Sequence, residues 1–287
     1  MSGGRGSRRP HWLEWRGLRN ARQSEMNAPR RCTPYEQLSE LVALPREVMT
    51  SAGVVAVGIL LLLGCHRHPE VRVEDIASRH LAALGSVATL KATSSWRITG
   101  TTVMPDGTTW RYISERRRPN LCRWESSGPG GTRLRGYNGK AAWRRQGTGP
   151  VEILSGVEAQ ERIDTCEFDE DPLLDYASRG IAIRNMGLVE VDGTKAYKVE
   201  TVTKSKNKRI IYIDATNWLD VRWDYVEPDG SVMLQHLSDR RVVGGISTAT
   251  TWLMTDADGG FPMRSHADTV EIDVRIPDER FDPPSPQ

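Results

Sequence analysis

The chain has 287 residues, of which 39 are lysine or arginine and 37 are aspartate or glutamate, so its formal net charge is +2. This near balance gives no support for a dedicated nucleic-acid partner. The part after residue 64 is long enough to bury one core and shows no shift in composition, so we predict a single domain there.

A short apolar run, GVVAVGILLLLGC, covers residues 53–65. It is shorter than the roughly 20 apolar residues of a bilayer-spanning helix, and its length suits the core of a secretory signal. Its last four residues, Leu62, Leu63, Gly64 and Cys65, resemble the lipobox of bacterial lipoproteins. The resemblance implies cleavage before Cys65 and attachment of a lipid to its thiol. The alternative is a buried core helix with an incidental cysteine.

The stretch before this run is longer than the few charged residues that normally open a signal. A misassigned start explains it most simply, with Met26 or an unlisted codon between Met26 and Met49 as the true beginning. A basic cytoplasmic arm is the alternative. We expect residues 1–64 to be an N-terminal extension and signal, 65–72 a lipid-anchored tether, and 73–284 the folded domain.

The folded domain begins with a predicted amphipathic helix. Its apolar residues recur at three- and four-residue intervals over 73–84, and Gly85 stands where the helix would end. His80 lies near the apolar side, where a packed structural histidine is expected.

Alternating apolar and polar residues predict half-buried strands along most of the remaining chain. The alternation is clear around Trp96, Trp110 and Trp124, and again over 219–225 and 270–276. Residues that tolerate positive φ mark tight turns between strands, so the sheet is predicted to be antiparallel. The predicted turns are Asp106-Gly107, Asn138-Gly139, Asp192-Gly193, Asp229-Gly230 and Asp258-Gly259.

Two further helices are predicted in the middle of the domain. Ser155 and Glu158 form a capping-box pattern for one of them. Asp171 can cap the other, which Gly180 can end. A long antiparallel sheet must twist and curl, and these helices are the available cover for its concave face. We therefore predict an α+β, mainly antiparallel fold of about 11 strands covered by three short helices.

Seven segments are distinctive in their order along the domain: AALGSVATLKATSSWRITGTT, RRRPNLCRWE, YNGKAAW, DPLLDYASRGI, GLVEVDGTKAYKVE, IYIDATNWLDVRWD and FDPP. Together they resemble the outer-membrane lipoprotein-sorting proteins, the LolA- and LolB-like carriers, over most of 73–284. The resemblance implies an unclosed antiparallel barrel, capped by helices, around a hydrophobic cavity that receives acyl chains. It also implies a periplasm-facing binder of lipids or lipoproteins without a catalytic centre or cofactor.

A lipid retained on Cys65 distinguishes this chain from freely diffusing carriers, because a lipidated terminus with several chains holds a domain at a membrane. We therefore expect a monomeric, membrane-anchored lipoprotein of the cell envelope that binds acyl chains or acylated lipoproteins. His66 follows the anchor in place of the aspartate that commonly signals inner-membrane retention in enteric bacteria, which favours the outer membrane. The alternative is a protein-interaction module, a stress sensor or assembly factor, without a lipid ligand.

Large aromatic residues on successive predicted strands are suited either to a cavity or to an ordinary core, and the resemblance favours the cavity. The candidate cavity residues are Trp96, Ile98, Trp110, Tyr112, Trp124, Trp143, Leu173 and Leu174. After Cys65, only Cys122 and Cys166 remain, either as a disulfide or as buried thiols.

The sequence suggests no catalytic or metal site, because it lacks the G-x-S-x-G, Walker A and H-E-x-x-H patterns. Several arginines lie on or next to consecutive predicted strands. Alternation favours the solvated outer face of the sheet for them, and a basic rim for anionic headgroups is the alternative. They are Arg116, Arg117, Arg118, Arg123, Arg133, Arg135, Arg144 and Arg145.

Overall fold

One antiparallel sheet of thirteen strands forms the frame of the protein over residues 71–169, 171–227 and 229–285, which the computed structural model describes. The strands are β1 (Ser95–Val103), β2 (Thr109–Arg117), β3 (Leu121–Gly128), β4 (Gly131–Tyr137), β5 (Ala142–Gln146), β6 (Glu152–Ile153), β7 (Ala182–Val191), β8 (Thr194–Val202), β9 (Lys208–Asp214), β10 (Asp220–Val226), β11 (Val232–Val243), β12 (Ile246–Asp256) and β13 (Met263–Ile272). Residues 1–70 are not described, so the predicted signal and anchor, Leu62, Leu63, Gly64 and Cys65, lie outside the described residues.

The strands form two runs of sequential neighbours, β1 to β6 and β7 to β13. Pairing of β1 with β13 joins the two runs. β6 and β7 lie at the two edges of the described sheet and do not pair, so the sheet is not closed. The predicted α+β fold with an unclosed, mainly antiparallel barrel is confirmed, with thirteen described strands where about 11 were expected.

Four α-helices lie within the described ranges, together with a 3-10 helix at Asp278–Phe281. The α-helices are α1 (Val73–Leu84), α2 (Val87–Ala92), α3 (Gly156–Thr165) and α4 (Tyr176–Arg179). α1 has the predicted bounds and ends at Gly85, which has a φ of 144°. α2 is additional to the three predicted helices, and the Ser86 side chain caps it by accepting a hydrogen bond from the Thr89 N–H.

The starts of α3 and α4 differ from the prediction. Ser155 makes no side-chain cap hydrogen bond, and Glu158 pairs with Arg144 of β5 instead of closing a capping box. Asp171 accepts a hydrogen bond from the Leu173 N–H at 2.8 Å. α4 nevertheless begins only at Tyr176, because residues 172–175 form turns.

The predicted hairpin turns are confirmed by the backbone. Positive φ angles occur at Gly107, Gly139, Gly193, Gly230 and Gly259. The alternation over 270–276 predicted a strand through Ile276, but β13 ends at Ile272. Asp273 has a φ of 55°, which turns the chain out of the extended conformation.

The α-helices lie on one face of the sheet, which we call the inner face. α1 packs with Ile76 and Ala77 on the apolar side chains of β8 and β9. A disulfide between Cys122 and Cys166 joins β3 to the end of α3, with Cα atoms 5.2 Å apart. This pairing is one of the two alternatives that the sequence left open.

Residues 273–285 contact the opposite face, which we call the outer face. Phe281 is fully buried there, and its carbonyl accepts a hydrogen bond from Trp143 Nε1 at 2.9 Å. Arg117 donates to the Ile276 carbonyl at 2.6 Å. The outer side of β2 to β5 is therefore packed against the chain that follows β13.

Candidate functional site

The inner face is closed where α1 covers it. Val199 and Ile211 are fully buried beneath this helix. Leu173 lies in the same cluster, and Leu174 packs against the apolar side of α1 further along the helix. The prediction that these two leucines line a cavity is wrong, because α1 fills the space that they face.

A buried ion pair fastens α1 to the segment before α4. The fully buried His80 has its Nε2 atom 2.8 Å from Asp171 Oδ2 and its Nδ1 atom 2.8 Å from the Trp218 carbonyl. Burial alone would lower the pKa of His80, but the charge and hydrogen bond of Asp171, with a smaller contribution from Asp220, raise it to about 9. His80 is therefore protonated at neutral pH and donates both hydrogen bonds. It is structural, as predicted, but the sequence did not indicate its ionic partner.

One row of facing residues crosses the inner face from β13 to β5 and changes from apolar to cationic along its length. We call it the inner row, and its members in strand order are Val270, Ile98, Ser114, Trp124, Arg135 and Arg144. Arg135 is exposed and the other five are half-buried. Since neighbouring strands lie 4.7–4.9 Å apart, the row spans roughly 19 Å from Val270 to Arg135.

Aromatic rings surround this row on the same face. Tyr112 stacks on Trp124 with ring centroids 4.8 Å apart. Its ring lies over Gly100 of β1, where a Cβ atom would collide with it. Buried Trp110 lies against Gly128 in the same way. The predicted cavity residues that share the inner face are Trp96, Ile98, Trp110, Tyr112 and Trp124.

Trp143 faces the opposite side of the sheet. It pairs with Gly136 of β4, and its fully buried ring packs on the outer face, where Phe281 accepts its hydrogen bond. The prediction that Trp143 lines the cavity is therefore wrong. The alternation within β5 directs Arg144 inward and Trp143 outward, and the facing glycine makes room for the indole ring.

Five arginines form a cluster on the inner face, which we call the arginine cluster. Its members are Arg116 of β2, Arg133 and Arg135 of β4, Arg144 of β5 and Arg162 of α3. The guanidinium carbon of Arg133 lies 4.2 Å from the ring centroid of Trp110, and that of Arg135 lies 5.3 Å from the Trp124 centroid. Both cations are thus held on indole rings by cation–π contacts.

The strand register divides the predicted arginines between the two faces. Arg117, Arg123 and Arg145 point outward, although Arg123 is buried against the segment after β13, whereas Arg116, Arg133, Arg135 and Arg144 point inward. The preferred interpretation of a solvated outer face is therefore wrong for these four. Periodicity assigned them to a common face but could not say which face the helices cover.

Carboxylates pair with the arginine cluster at the edge of the sheet. Glu152 and Glu158 both pair with Arg144. Among the described residues, neither Arg133 nor Arg135 forms an ion pair with a carboxylate. Although Arg135 is exposed as a residue, the protein atoms around its guanidinium group desolvate it, and this effect, followed by repulsion from the guanidinium groups of Arg162, Arg116 and Arg133, lowers its pKa. The potential on this part of the inner face therefore favours an anion.

Other polar features lie on the outer face. A cleft of about 540 Å³ is lined by residues such as Arg123, Arg145 and Arg280. Thr251 Oγ1 lies 2.9 Å from His266 Nδ1 as a cross-strand pair. Within the described ranges, no three His, Cys, Asp or Glu side chains are grouped as metal ligands. Nor does any described helix combine the length and apolar character that crossing a membrane requires.

Solved structures with the same arrangement of strands and helices include two bacterial proteins. A DUF1329 family protein from Desulfovibrio piger shares 16% sequence identity with a TM-score of 0.50, and the match covers 73% of this chain and 95% of that one. A LolA superfamily protein from Nitrosomonas europaea shares 14% identity with a TM-score of 0.51, covering 72% and 97%. No family model and no curated protein sequence matches the chain.

The protein therefore has the fold of the LolA superfamily. This confirms, at the level of the fold, the resemblance to lipoprotein-sorting proteins that the order of short segments predicted. At these identities the two neighbours define the architecture, and the residues of the inner face define the candidate site.

Proposed function

We propose that the protein binds acyl chains, from a lipid or an acylated lipoprotein, against the inner face of β13, β1, β2 and β3. The half-buried side chains of Val270, Ile98 and Trp124 carry this proposal. Large apolar groups left half open on the helix-covered face are typical of a ligand site, whereas the neighbouring cluster under α1 is fully closed. The LolA-like fold supports the same function.

The protein works by excluding water from its ligand and performs no bond chemistry. Burial of apolar surface contributes about 25 cal/mol per Å², so an enclosed chain gains several kcal/mol before ordering costs are subtracted. α3 has no buried residue of its own, whereas α1 has five. α3 is therefore the helix that moves to admit a chain.

The location that fits this function is the periplasmic side of the cell envelope. A lipid on Cys65 anchors the mature chain, residues 65–72 form the tether, and the domain 73–284 acts as a monomer at the membrane, with the outer membrane favoured. A tethered domain accepts or presents acyl chains near its own membrane instead of carrying them over long distances.

Native mass spectrometry of protein purified without detergent from a bacterial periplasm, from residue 66 onward, tests the proposal. We expect a co-purified lipid or acylated peptide that organic extraction releases. Ile98→Glu places a charge in the inner row, so the additional mass of the bound lipid or acylated peptide should be absent from the spectrum of this variant. Ile113→Glu is the matched control, because Ile113 is half-buried on the outer face of the adjacent strand. An apo mass in the parent protein that persists after incubation with lipids would contradict acyl-chain binding.

The second candidate function is a cell-envelope protein-interaction module, such as a stress sensor or assembly factor. The polar cleft of about 540 Å³ on the outer face favours it, because this cleft lies away from the inner row. Under this alternative, Arg145→Glu in the cleft weakens partner capture while Ile98→Glu leaves it unchanged. The reverse pattern assigns partner capture to the inner face.

A further inference from the structure

We propose that the ligand of the inner face is an anionic lipid, whose acyl chain lies along the inner row and whose charged headgroup lies against the arginine cluster. The inference rests on the proposed acyl-chain binding and adds the chemical class of the headgroup. It follows from the order of side chains within one row, which is apolar at Val270 and Ile98 and cationic at Arg135 and Arg144.

The length of the row suits an amphiphile. Four strand spacings separate Val270 from Arg135, which corresponds to roughly 19 Å. This distance is comparable to that of an extended long-chain acyl group. Ser114 stands between Ile98 and Trp124. Its side chain is the smallest in the row and stands between two large apolar groups.

The cations at the end of the row are prepared to receive an anion. Arg133 and Arg135 rest on indole rings, which limits their conformational freedom while leaving their N–H groups free of carboxylate partners among the described residues. A guanidinium group binds phosphate or carboxylate oxygens with paired hydrogen bonds. A bound headgroup would also relieve the mutual repulsion of the cluster.

The carboxylates near the cluster do not remove this preference. Glu152 and Glu158 are engaged by Arg144 at the edge of the sheet. Glu161 of α3 is exposed and acts on the charge of Arg162. Arg133 and Arg135 are therefore the two members of the cluster that are best placed to bind a headgroup.

An acidic peptide is a weaker fit than a lipid, because Ser114 is the one polar side chain of the row between Val270 and Trp124. A peptide would need polar partners for its backbone along that length. The inner row instead offers half-buried hydrocarbon and aromatic surface from Val270 to Trp124.

The test uses the full chain in neutral phosphatidylcholine vesicles and two photoreactive lysolipids that carry the same acyl chain. One has a phosphoglycerol headgroup, which is anionic, and the other has a zwitterionic phosphocholine headgroup. After irradiation, peptide mapping by mass spectrometry locates and quantifies the labelled residues. We expect labelling on β1 to β3, with the anionic probe labelling about tenfold more, the factor associated with one charge-assisted hydrogen bond.

Two substitutions separate the headgroup effect from folding. Arg135→Gln should lower labelling by the anionic probe towards that of the zwitterionic probe, whereas Arg135→Lys should retain most of the preference. Arg111→Gln is the control, since Arg111 is exposed on the outer face of β2. We expect it to leave both probes unchanged. Unfolding temperatures of the variants identify any loss that arises from misfolding.

The outcomes distinguish the two proposals. Equal labelling of β1 to β3 by both probes would overturn the headgroup preference and leave acyl-chain binding intact. No labelling of the inner face by either probe would overturn both. In a third outcome, labelling does not depend on the acyl chain, and inorganic phosphate or a glutamate-rich peptide abolishes it. This result would assign the arginine cluster to a free anion or to a peptide instead of a lipid.

Discussion

The two halves of the inner face differ in the way they are covered. Under α1, the side chains of Val199, Ile211 and Ile213 are fully buried in an aliphatic cluster. Along β1 to β5, the same face carries half-buried aromatic and aliphatic groups beside the arginine cluster. One half therefore supplies the packed core and the other supplies the candidate site, although both belong to one continuous sheet.

The covering helices show the same difference. α1 is held by five buried residues and by the ion pair of His80 with Asp171. α3 contributes no buried residue and is held by the Cys122–Cys166 disulfide and the ion pair of Arg144 with Glu158. Apolar packing and a buried ion pair therefore hold α1, whereas α3 is held by a covalent link at its end and an ion pair near its start.

Removing the disulfide tests this difference most strongly. The double change Cys122→Ser and Cys166→Ser opens a loop with a sequence separation of 44 residues. Loop-closure entropy predicts a loss of about 4 kcal/mol in the free energy of unfolding, measured by urea denaturation. Hydrogen exchange should increase in α3 and β3 to β5 and remain low in α1. Equal increases in both helices would show that they are held alike.

The pH dependence of stability tests the closed half. The pKa of His80 is about 9 in the folded protein and has its ordinary value of 6.5 in the unfolded chain. Its contribution is therefore complete below pH 6.5 and is lost as the pH rises through 9, by about 3 kcal/mol. Urea unfolding from pH 6 to 10 measures this slope.

The control for the pH experiment is Asp171→Asn, which removes the carboxylate that raises the pKa of His80. We expect this variant to be less stable at pH 6.5 and to lack the decline above it. A decline that persists in the variant would assign the slope to other groups.

A matched pair of isoleucine truncations gives the smallest effect and the most direct comparison of the two halves. Ile211→Ala in the closed core should cost about 3 kcal/mol, because it leaves a cavity that the packed neighbours cannot fill. Ile98→Ala in the half-open row should cost about 1 kcal/mol, since solvent already reaches this site. Thermal or urea unfolding of both variants measures the difference, and equal losses would mean that the inner row is ordinary core.

Local patterns were sufficient to predict much of the frame. Periodicity gave the bounds of α1, and turn residues such as Gly107 and Gly193 marked the hairpins. These features depend on the geometry of a few neighbouring residues. The same patterns could not determine the inward direction of Arg135 or the outward direction of Trp143, because alternation separates two faces without saying what covers each.

Long-range contacts account for the other differences. Phe281 covers Trp143 across a sequence separation of 138 residues, and Asp171 meets His80 across 91. Glu158 pairs with Arg144 of a neighbouring strand, although its local pattern is that of a helix cap. Local patterns do not indicate these distant partners, because only the assembled sheet brings them together.

The pairing of β1 with β13 also determines when the domain can become complete. β13 is the last strand in the sequence, yet it lies between the two runs of the sheet and joins them. A chain that emerges with its N-terminus first must therefore hold β1 with an unpaired edge until nearly the whole domain has been synthesised. The final strand joins the two runs, so the inner row, which begins at Val270 on β13, is complete only after this strand has paired with β1.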